Sequence, residues 1–245
     1  TARIRQRVRR CLEQQRDGRR RPLMILVGDS HATAIQRGLE WAVGQRMQLV
    51  WVTFANGCGY LSNGQLESIG SLNDQCLAFR DQIWATLHTI LQAGDVVASH
   101  HGQWKFGPSY IPFLELLHAF TSERNATMLL FGDNPTLPTL AHYCIPSTFQ
   151  SSALSRCNGD GHAFERDHGV TPGDQQAYLE SFAQRFYDVL FLNTFPLFCP
   201  NAGSCGVRIP GTETFAVFDQ HHFTDAGAYY LWPFICATLH EGGVF

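Results

Sequence analysis

The sequence has no uninterrupted apolar run that approaches the length of a membrane-spanning helix. It also lacks a signal peptide and an initiator methionine, so we expect a mature fragment or a domain cut from a larger protein. Charged residues make up only 16% of the chain and apolar residues 44%, a composition that excludes a disordered protein. The 245 residues therefore suffice for one folded domain with a substantial core.

The chain contains no Cys-x-x-Cys pair, and no cysteine stands at zinc spacing with a histidine. Its eight cysteines are dispersed, a pattern that favours disulfides and an oxidising compartment. Short loops close most readily, and on this ground we predict the pairs Cys58–Cys76, Cys144–Cys157 and Cys199–Cys205. A fourth pair, Cys11–Cys236, requires the first and last helices to be neighbours. The alternative for these two cysteines is a reduced state in the core.

Positive charge is concentrated at the start of the chain. Residues 1–21 contain nine arginines and two acidic residues, a net charge of +7, whereas the remainder, with nine basic and 19 acidic residues, carries −10. Such an arm can bind anionic lipid headgroups or nucleic acid, or it can be a connecting helix that pairs with the acidic body. We favour the connector. We expect no nucleic-acid partner, because the body is acidic and contains no recognition motif.

The first informative motif follows the apolar run 23–27, where Gly28, Asp29 and Ser30 precede a helix-like segment. This order predicts a strand, a turn and a helix. The turn places a serine hydroxyl at the carboxyl end of a strand, where ligands bind in open α/β sheets. The helix N-terminus also favours developing negative charge. The alternative interpretation is that Asp29 and Ser30 only cap the helix.

The second motif precedes the last helix, where Asp219 stands three residues before His222. A serine nucleophile needs a base, usually histidine, and the base needs an orienting acceptor, often a carboxylate. One turn can present both groups. His221 is a rival base, and Thr224 is the predicted N-cap of the helix. The alternative is an ordinary acidic turn with surface histidines.

Strand-like and helix-like segments alternate along the rest of the chain. Strands are predicted at 23–27, 48–54, 95–99, 127–131 and 189–192. Helices are predicted at 2–17, 32–43, 74–91, 110–123, 174–185 and 224–239. This alternation implies an α/β fold with a doubly wound, mostly parallel sheet. Between them, residues 133–172 form a long irregular loop, of a kind that is usually functional or cross-linked.

The two motifs together resemble the SGNH/GDSL hydrolase superfamily, whose signature is an early Gly-Asp-Ser and a late Asp-x-x-His. The order and separation match over roughly residues 22–240. The resemblance implies a flavodoxin-like three-layer sandwich with a five-stranded, mostly parallel sheet, and a catalytic domain over 22–245 preceded by the basic arm. It also implies Ser30 as the nucleophile, His222 as the base and Asp219 as the acid, with no cofactor.

A narrower resemblance, to the periplasmic SGNH domains of acyltransferase-3 proteins, is carried by four segments: 28–32, 56–59, 199–205 and 222–227. It implies an O-acyltransferase, with acetyl as the expected group, that modifies a cell-surface polysaccharide through an acyl-serine intermediate. The expected partners are a carbohydrate acceptor and a membrane acyltransferase domain that delivers the acyl group. The expected location is periplasmic or extracellular, within an inner-membrane protein. The arginine arm is then a possible contact with the membrane surface.

One departure from the superfamily concerns the oxyanion hole. The Gly-x-Asn-Asp element expected after the third strand is absent from residues 95–104. The backbone N–H groups of Ser30 and Gly57 are therefore the candidate oxyanion donors. Trp104 and His101 are candidates for substrate binding, and Trp104 fits a tryptophan common in the acyltransferase-associated domains. Phe106 and Tyr110 can also stack on sugar rings, the alternative being core positions, which we favour for Phe106.

Two other functions remain open from the sequence. The same serine machinery with water as the acceptor makes a secreted or periplasmic carbohydrate esterase, and a domain that keeps only the fold can bind carbohydrate without catalysis. A metal site on His100, His101 and His221 is not expected, because adjacent histidines on a strand point in different directions and no carboxylate accompanies them.

Overall fold

The computed structural model describes residues 21–44, 46–53, 81, 84–102, 110–138, 159, 161–162, 173–200 and 205–244. Its strands are β1 Leu23–Gly28, β2 Gln48–Thr53, β3 Val96–His100, β4 Thr127–Phe131 and β5 Val189–Leu192. Its helices are α1 Ser30–Val43, α2 Tyr110–Glu123, α3 Asp174–Arg185, α4 Phe195–Phe198 and α5 Asp225–Glu241. Residues 84–90 are also helical, within the predicted helix 74–91. The basic arm lies outside the described residues, apart from Arg21.

The five strands form one parallel sheet in the order β2-β1-β3-β4-β5. This order confirms the predicted flavodoxin-like topology, in which ligands bind where the strand order reverses, beside β1 and β3. Every residue of β1 is buried. A strand that helices cover on both faces has a continuous apolar sequence instead of an alternating one, and residues 23–27 of β1 are all apolar.

Two layers of apolar side chains cover the two faces of the sheet. Met24 and Leu26 of β1 pack with α1 and α5 on one face. Leu23 and Ile25 pack with α2, α3 and the helical residues 84–90 on the other. The three-layer arrangement follows from the period of two in strand side chains, which sends successive residues of β1 to opposite layers.

Helices α1 and α5 cross at very close range. A Cβ atom on Gly38 of α1 would lie 2.1 Å from the carbonyl oxygen of Ala228 in α5, so no larger side chain fits there. Thr224 begins α5 as its N-cap, with its hydroxyl accepting from Gly227 N at 3.0 Å. The predicted cap is therefore present, and the close crossing places the residues just before α5 near the start of α1.

One of the predicted disulfides, Cys199–Cys205, is formed. The pairing of Cys11 with Cys236 is wrong, because Cys236 is a free thiol whose Sγ donates to Ala42 O at 3.2 Å. The hydrogen-bond partner of Cys236 thus lies within the domain, on the neighbouring helix α1. The other four cysteines lie outside the described residues, and their pairings stay predictions. No helix among the described residues combines the length and apolarity that crossing a membrane requires.

Candidate active site

The turn that carries Ser30 is held by its two neighbours, Gly28 and Asp29. A Cβ atom on Gly28 would lie 2.0 Å from His100 O, so only glycine allows β1 and β3 to end this close together. The Asp29 carboxylate caps α1 by accepting from His31 N at 2.9 Å. Its second oxygen accepts from Gly102 N, after β3, at 3.1 Å. Ser30 therefore stands at the first position of α1, above the carboxyl end of the sheet.

The second motif forms a tight turn, residues 219–222, which we call the Asp–His turn. An antiparallel bridge between Val217 and Phe223 closes it at its base. Asp219 Oδ1 accepts from the backbone N–H groups of His221 at 2.9 Å and His222 at 2.7 Å. One carboxylate thereby shapes the turn and leaves its other oxygen available to a side chain.

Ser30, His222 and Asp219 form a continuous hydrogen-bonded chain. His222 Nε2 lies 2.7 Å from Ser30 Oγ, and His222 Nδ1 lies 2.6 Å from Asp219 Oδ2. Phe218 stacks on the His222 ring at 5.6 Å between centroids. The His222 and Asp219 side chains are 16% and 25% exposed, so the chain opens to solvent at one side. In this arrangement His222 Nε2 can take the proton of Ser30, while the Asp219 carboxylate keeps the other ring proton on Nδ1.

Asp219 stays ionised in this setting. Burial raises the pKa of its carboxyl group, but the hydrogen bonds from the His222 ring and from the backbone N–H groups of His221 and His222 outweigh that effect. The net result is a pKa of Asp219 well below its ordinary value. A fixed negative charge therefore faces His222 Nδ1 throughout the neutral range, where it stabilises a protonated imidazole.

The rival base, His221, is bonded to another histidine. Its Nδ1 lies 3.0 Å from Nε2 of the fully buried His31, and the two rings are stacked. Burial, together with the nearby His222, lowers the pKa of His221 to about 4. Among the described residues, His222 is thus the histidine that reaches the serine hydroxyl.

The histidines that could hold a metal ion differ from the set His100, His101 and His221 named in the sequence analysis. One ring nitrogen each of His31, His221 and His222 lies within 4.8 Å of the others, a group that can in principle hold a metal ion. These nitrogens already make the hydrogen bonds to one another, to Ser30 and to Asp219 described above. In this structure the three histidines therefore serve as members of a hydrogen-bonded network.

Asn134, which the sequence analysis did not single out, also reaches the site. It follows β4 by three residues, and its Nδ2 donates to His221 O at 3.0 Å. The sequence signal was the cluster Gly132, Asp133 and Asn134 directly after a predicted strand. Polar residues at that position meet the ligand-binding edge of a parallel sheet.

The predicted substrate-binding residues divide into two groups. His101 is only 2% exposed, approaches Ser99 Oγ at 3.1 Å and packs on Tyr110, so it offers no surface to a sugar. Tyr110 is itself 2% exposed and belongs to the core. Trp104, Phe106 and the candidate oxyanion donor Gly57 lie outside the described residues. The Ser30 N–H belongs to the first turn of α1, where no acceptor exists within the helix.

Two buried histidines, His31 and His100, and the partly buried His221 should make the fold sensitive to acid. Burial lowers the pKa of His100 and of His221 to about 4, and that of His31 well below its ordinary value. They stay neutral in the folded protein while the unfolded chain takes up protons near pH 6.5. Their contribution to stability is therefore complete above pH 6.5. As the pH falls from there towards 4, we expect a loss of about 1.4 kcal/mol per pH unit for each histidine.

Urea unfolding measured between pH 7 and pH 4 checks this expectation. His221→Asn removes one of the three groups and should flatten the pH dependence, and His240→Gln, at an exposed position of α5, is the matched control. Identical slopes in the wild type and His221→Asn would show that His221 does not contribute.

The geometry can now be compared with known proteins. The chain matches the family described as the SGNH domain (fused to AT3 domains) over residues 2–235. It resembles the periplasmic domain of a lipopolysaccharide acetyltransferase from Salmonella ser. Paratyphi A, with 14% identity and a TM-score of 0.61 over 96% of this chain and 88% of that one. The C-terminal catalytic domain of peptidoglycan O-acetyltransferase A from Streptococcus pneumoniae is 12% identical, with a TM-score of 0.42. That comparison covers 92% of this chain and 96% of the other.

No curated protein matches the chain. The Salmonella structure shares the fold, and the family match confirms the resemblance on which the sequence analysis relied. The chain therefore belongs to the SGNH domain family (fused to AT3 domains), a family of the acyl-transfer and esterase type.

Proposed function

We propose that this domain is an O-acyltransferase that uses Ser30 as nucleophile, His222 as general base and Asp219 as the orienting acid. The single observation that carries the proposal is the chain of two short hydrogen bonds, 2.7 Å from His222 Nε2 to Ser30 Oγ and 2.6 Å from His222 Nδ1 to Asp219 Oδ2. Nucleophile and base within hydrogen-bond reach, with the base oriented by a third group, are what acyl transfer through a covalent intermediate requires.

In the first half-reaction His222 Nε2 takes the proton from Ser30 Oγ as the oxygen attacks the carbonyl carbon of an acyl donor. The tetrahedral intermediate collapses, the donor's leaving group departs with the proton from His222, and an acyl-serine ester remains. The N–H of Ser30, at the start of α1, faces the developing oxyanion, and one such donor typically contributes about 10²–10³ in rate. Gly57 N–H is the proposed second donor.

In the second half-reaction a hydroxyl of the acceptor gives its proton to His222 and attacks the acyl carbon. Ser30 Oγ leaves and regains the proton from His222. A sugar hydroxyl as acceptor makes the domain a transferase, whereas water makes it an esterase. The family supports the first, because its SGNH domains are fused to AT3 domains. A membrane acyltransferase domain that supplies acetyl groups, and a surface polysaccharide that accepts them, complete the proposal.

The proposed location is the periplasm or another extracellular compartment. The Cys199–Cys205 disulfide supports it, since disulfides persist in oxidising environments. The Salmonella protein of the same fold is described as a periplasmic domain. The arginine arm, residues 1–21, is proposed as the connector towards the membrane domain.

Acylation of Ser30 tests the function directly. We expect incubation with p-nitrophenyl acetate to leave an acetyl group on Ser30, detected by mass spectrometry of the peptide that contains it. Adding an oligosaccharide should discharge this ester faster than buffer alone and yield an acetylated sugar. Discharge at the same rate, without acetylated sugar, would identify an esterase. A protein that never carries an acetyl group while it turns over substrate would contradict the covalent mechanism.

Trp104 is proposed to border the acceptor groove near Ser30. We expect Trp104→Ala to slow transfer to a polysaccharide more than hydrolysis of p-nitrophenyl acetate, because contacts remote from the reacting group position a large acceptor. Phe106→Ala is the matched control, since that neighbouring aromatic residue is expected in the core. Equal losses of rate on both substrates would indicate that Trp104 supports the catalytic site or the core, and would contradict the proposed acceptor groove.

A further inference from the structure

Asn134 joins the segment after β4 to the Asp–His turn. Its side chain is fully buried, and its Nδ2 donates to His221 O at 3.0 Å. Three residues further on, Leu137 N donates to Gln220 O at 2.8 Å. The turn is therefore held at two successive carbonyls by a segment that also meets α1, since Asn134 Nδ2 lies 3.3 Å from His31 Nδ1.

These contacts fix where the protons of two histidines lie. A carbonyl oxygen only accepts, so the Asn134 atom facing His221 O must be the amide nitrogen. The same nitrogen faces His31 Nδ1, which must accept as well, and His31 carries its proton on Nε2. That proton points at His221 Nδ1, 3.0 Å away, so His221 in turn carries its proton on its own Nε2. One amide thus sets both tautomers.

The arrangement works only while both rings are neutral. A second proton on His31 would face the amide of Asn134, and one on His221 Nδ1 would face the His31 Nε2–H. Burial favours the neutral state of both rings, because it lowers the pKa of His31 and of His221. The rings lie beside His222, with centroids at 4.9 Å for His31 and 4.2 Å for His221. Two neutral, oriented rings therefore flank the imidazole that is bonded to Ser30.

We propose that Asn134 is a positioning residue that acts through His31 and His221 to hold the His222 imidazole in line with Ser30 Oγ. The proposal rests on the proposed role of His222 as general base. Asn134 does not replace the asparagine missing from the Gly-x-Asn-Asp element, because its amide protons are directed to the His221 carbonyl and to His31 rather than to the reacting acyl group.

The first test is kinetic. We expect Asn134→Ala to lower kcat for p-nitrophenyl acetate by about 10²-fold, the cost of a misplaced catalytic group, while KM stays nearly constant because no substrate contact is removed. Thr136→Val is the matched control. It removes a buried hydrogen bond of the same segment, from Thr136 Oγ1 to Gly161 O at 3.1 Å, and leaves the Asn134 amide in place. It should lower the melting temperature comparably and keep kcat.

The second test reads the protons directly and does not depend on activity. Nitrogen-15 NMR of the imidazoles at pH 7 should show His31 and His221 as single Nε2–H tautomers in the wild type. Asn134→Ala should give a mixture at His31 and shift the His222 resonances. Asn134→Asp, which keeps the shape but presents only acceptors, should favour a protonated His31.

Unchanged kcat together with unchanged tautomers in folded Asn134→Ala would overturn the positioning role. An equal loss of kcat in Thr136→Val would do the same, since it would assign the effect to general destabilisation. Ser30→Ala is assayed in parallel. Activity in that variant would refute the proposed function, whereas the tautomers and His222 resonances would still decide whether Asn134 orders the rings.

Discussion

Replacing Ser30 with alanine is expected to reduce acyl transfer and ester hydrolysis by about 10⁴-fold or more. In the proposed mechanism the hydroxyl oxygen forms the acyl ester and gives its proton to His222 Nε2, which lies 2.7 Å away. Rates measured with p-nitrophenyl acetate and with a polysaccharide acceptor should fall together. The residual rate reflects only the oxyanion donors and substrate binding.

The fold should survive this change. Ser30 starts α1, but the capping bond is made by Asp29, so the melting temperature should move little. Ser122→Ala, at the end of α2, is the matched serine control and should keep full activity. Wild-type turnover by folded Ser30→Ala on a natural acceptor would remove the serine mechanism and leave a carbohydrate-binding domain as the alternative.

Asp219→Asn should have the second largest effect, a loss of kcat of about 10⁴-fold. The asparagine can keep the Oδ1 bonds to the backbone of the Asp–His turn, but its amide group would face His222 Nδ1. That nitrogen would then have to accept, and the ring proton would move to Nε2. A ring protonated at Nε2 cannot take the proton of Ser30, and the stabilising charge next to the imidazolium is lost.

Kinetics and imidazole NMR measured on the same sample check this prediction. Asp225→Asn, in the first turn of α5, removes a carboxylate of the same region without contact to His222 and is the matched control. Asp219→Asn should also lose stability near neutral pH, because an acid with a lowered pKa contributes most above its unfolded pKa and loses that contribution as the pH falls. Full activity of Asp219→Asn would show that the carboxylate does not orient the base.

The strands and most of the described helices could be predicted because their signals are local. The segments 110–123, 127–131, 174–185 and 189–192 have the predicted bounds. The two helices show an apolar period, and the two strands are short apolar runs that end at polar or glycine residues. Helix α4 was missed because four residues cannot display a helical period. The parallel order of the sheet followed from alternation of strands and helices together with the superfamily resemblance.

The site could be predicted in part. The two motifs gave Ser30, Asp219 and His222 because each group is presented by a turn with its own sequence signature. The contacts of Asn134 had no such signature, since its partner His221 stands 87 residues away in the chain. Burial of His101 and the free state of Cys236 depend on which helix faces pack together, and a single sequence does not encode that in any local pattern.

Ser30 and His222 are separated by 192 residues, which has a consequence for how the domain is made. A chain that ends before Asp219 already contains all five strands and α1. Contacts this distant in sequence form slowly, because the entropy of closing a long loop opposes them. During synthesis, Ser30 therefore has no base beside it until the last segment has docked. If the proposed mechanism holds, an unfinished domain can neither accept acyl groups nor hydrolyse their esters.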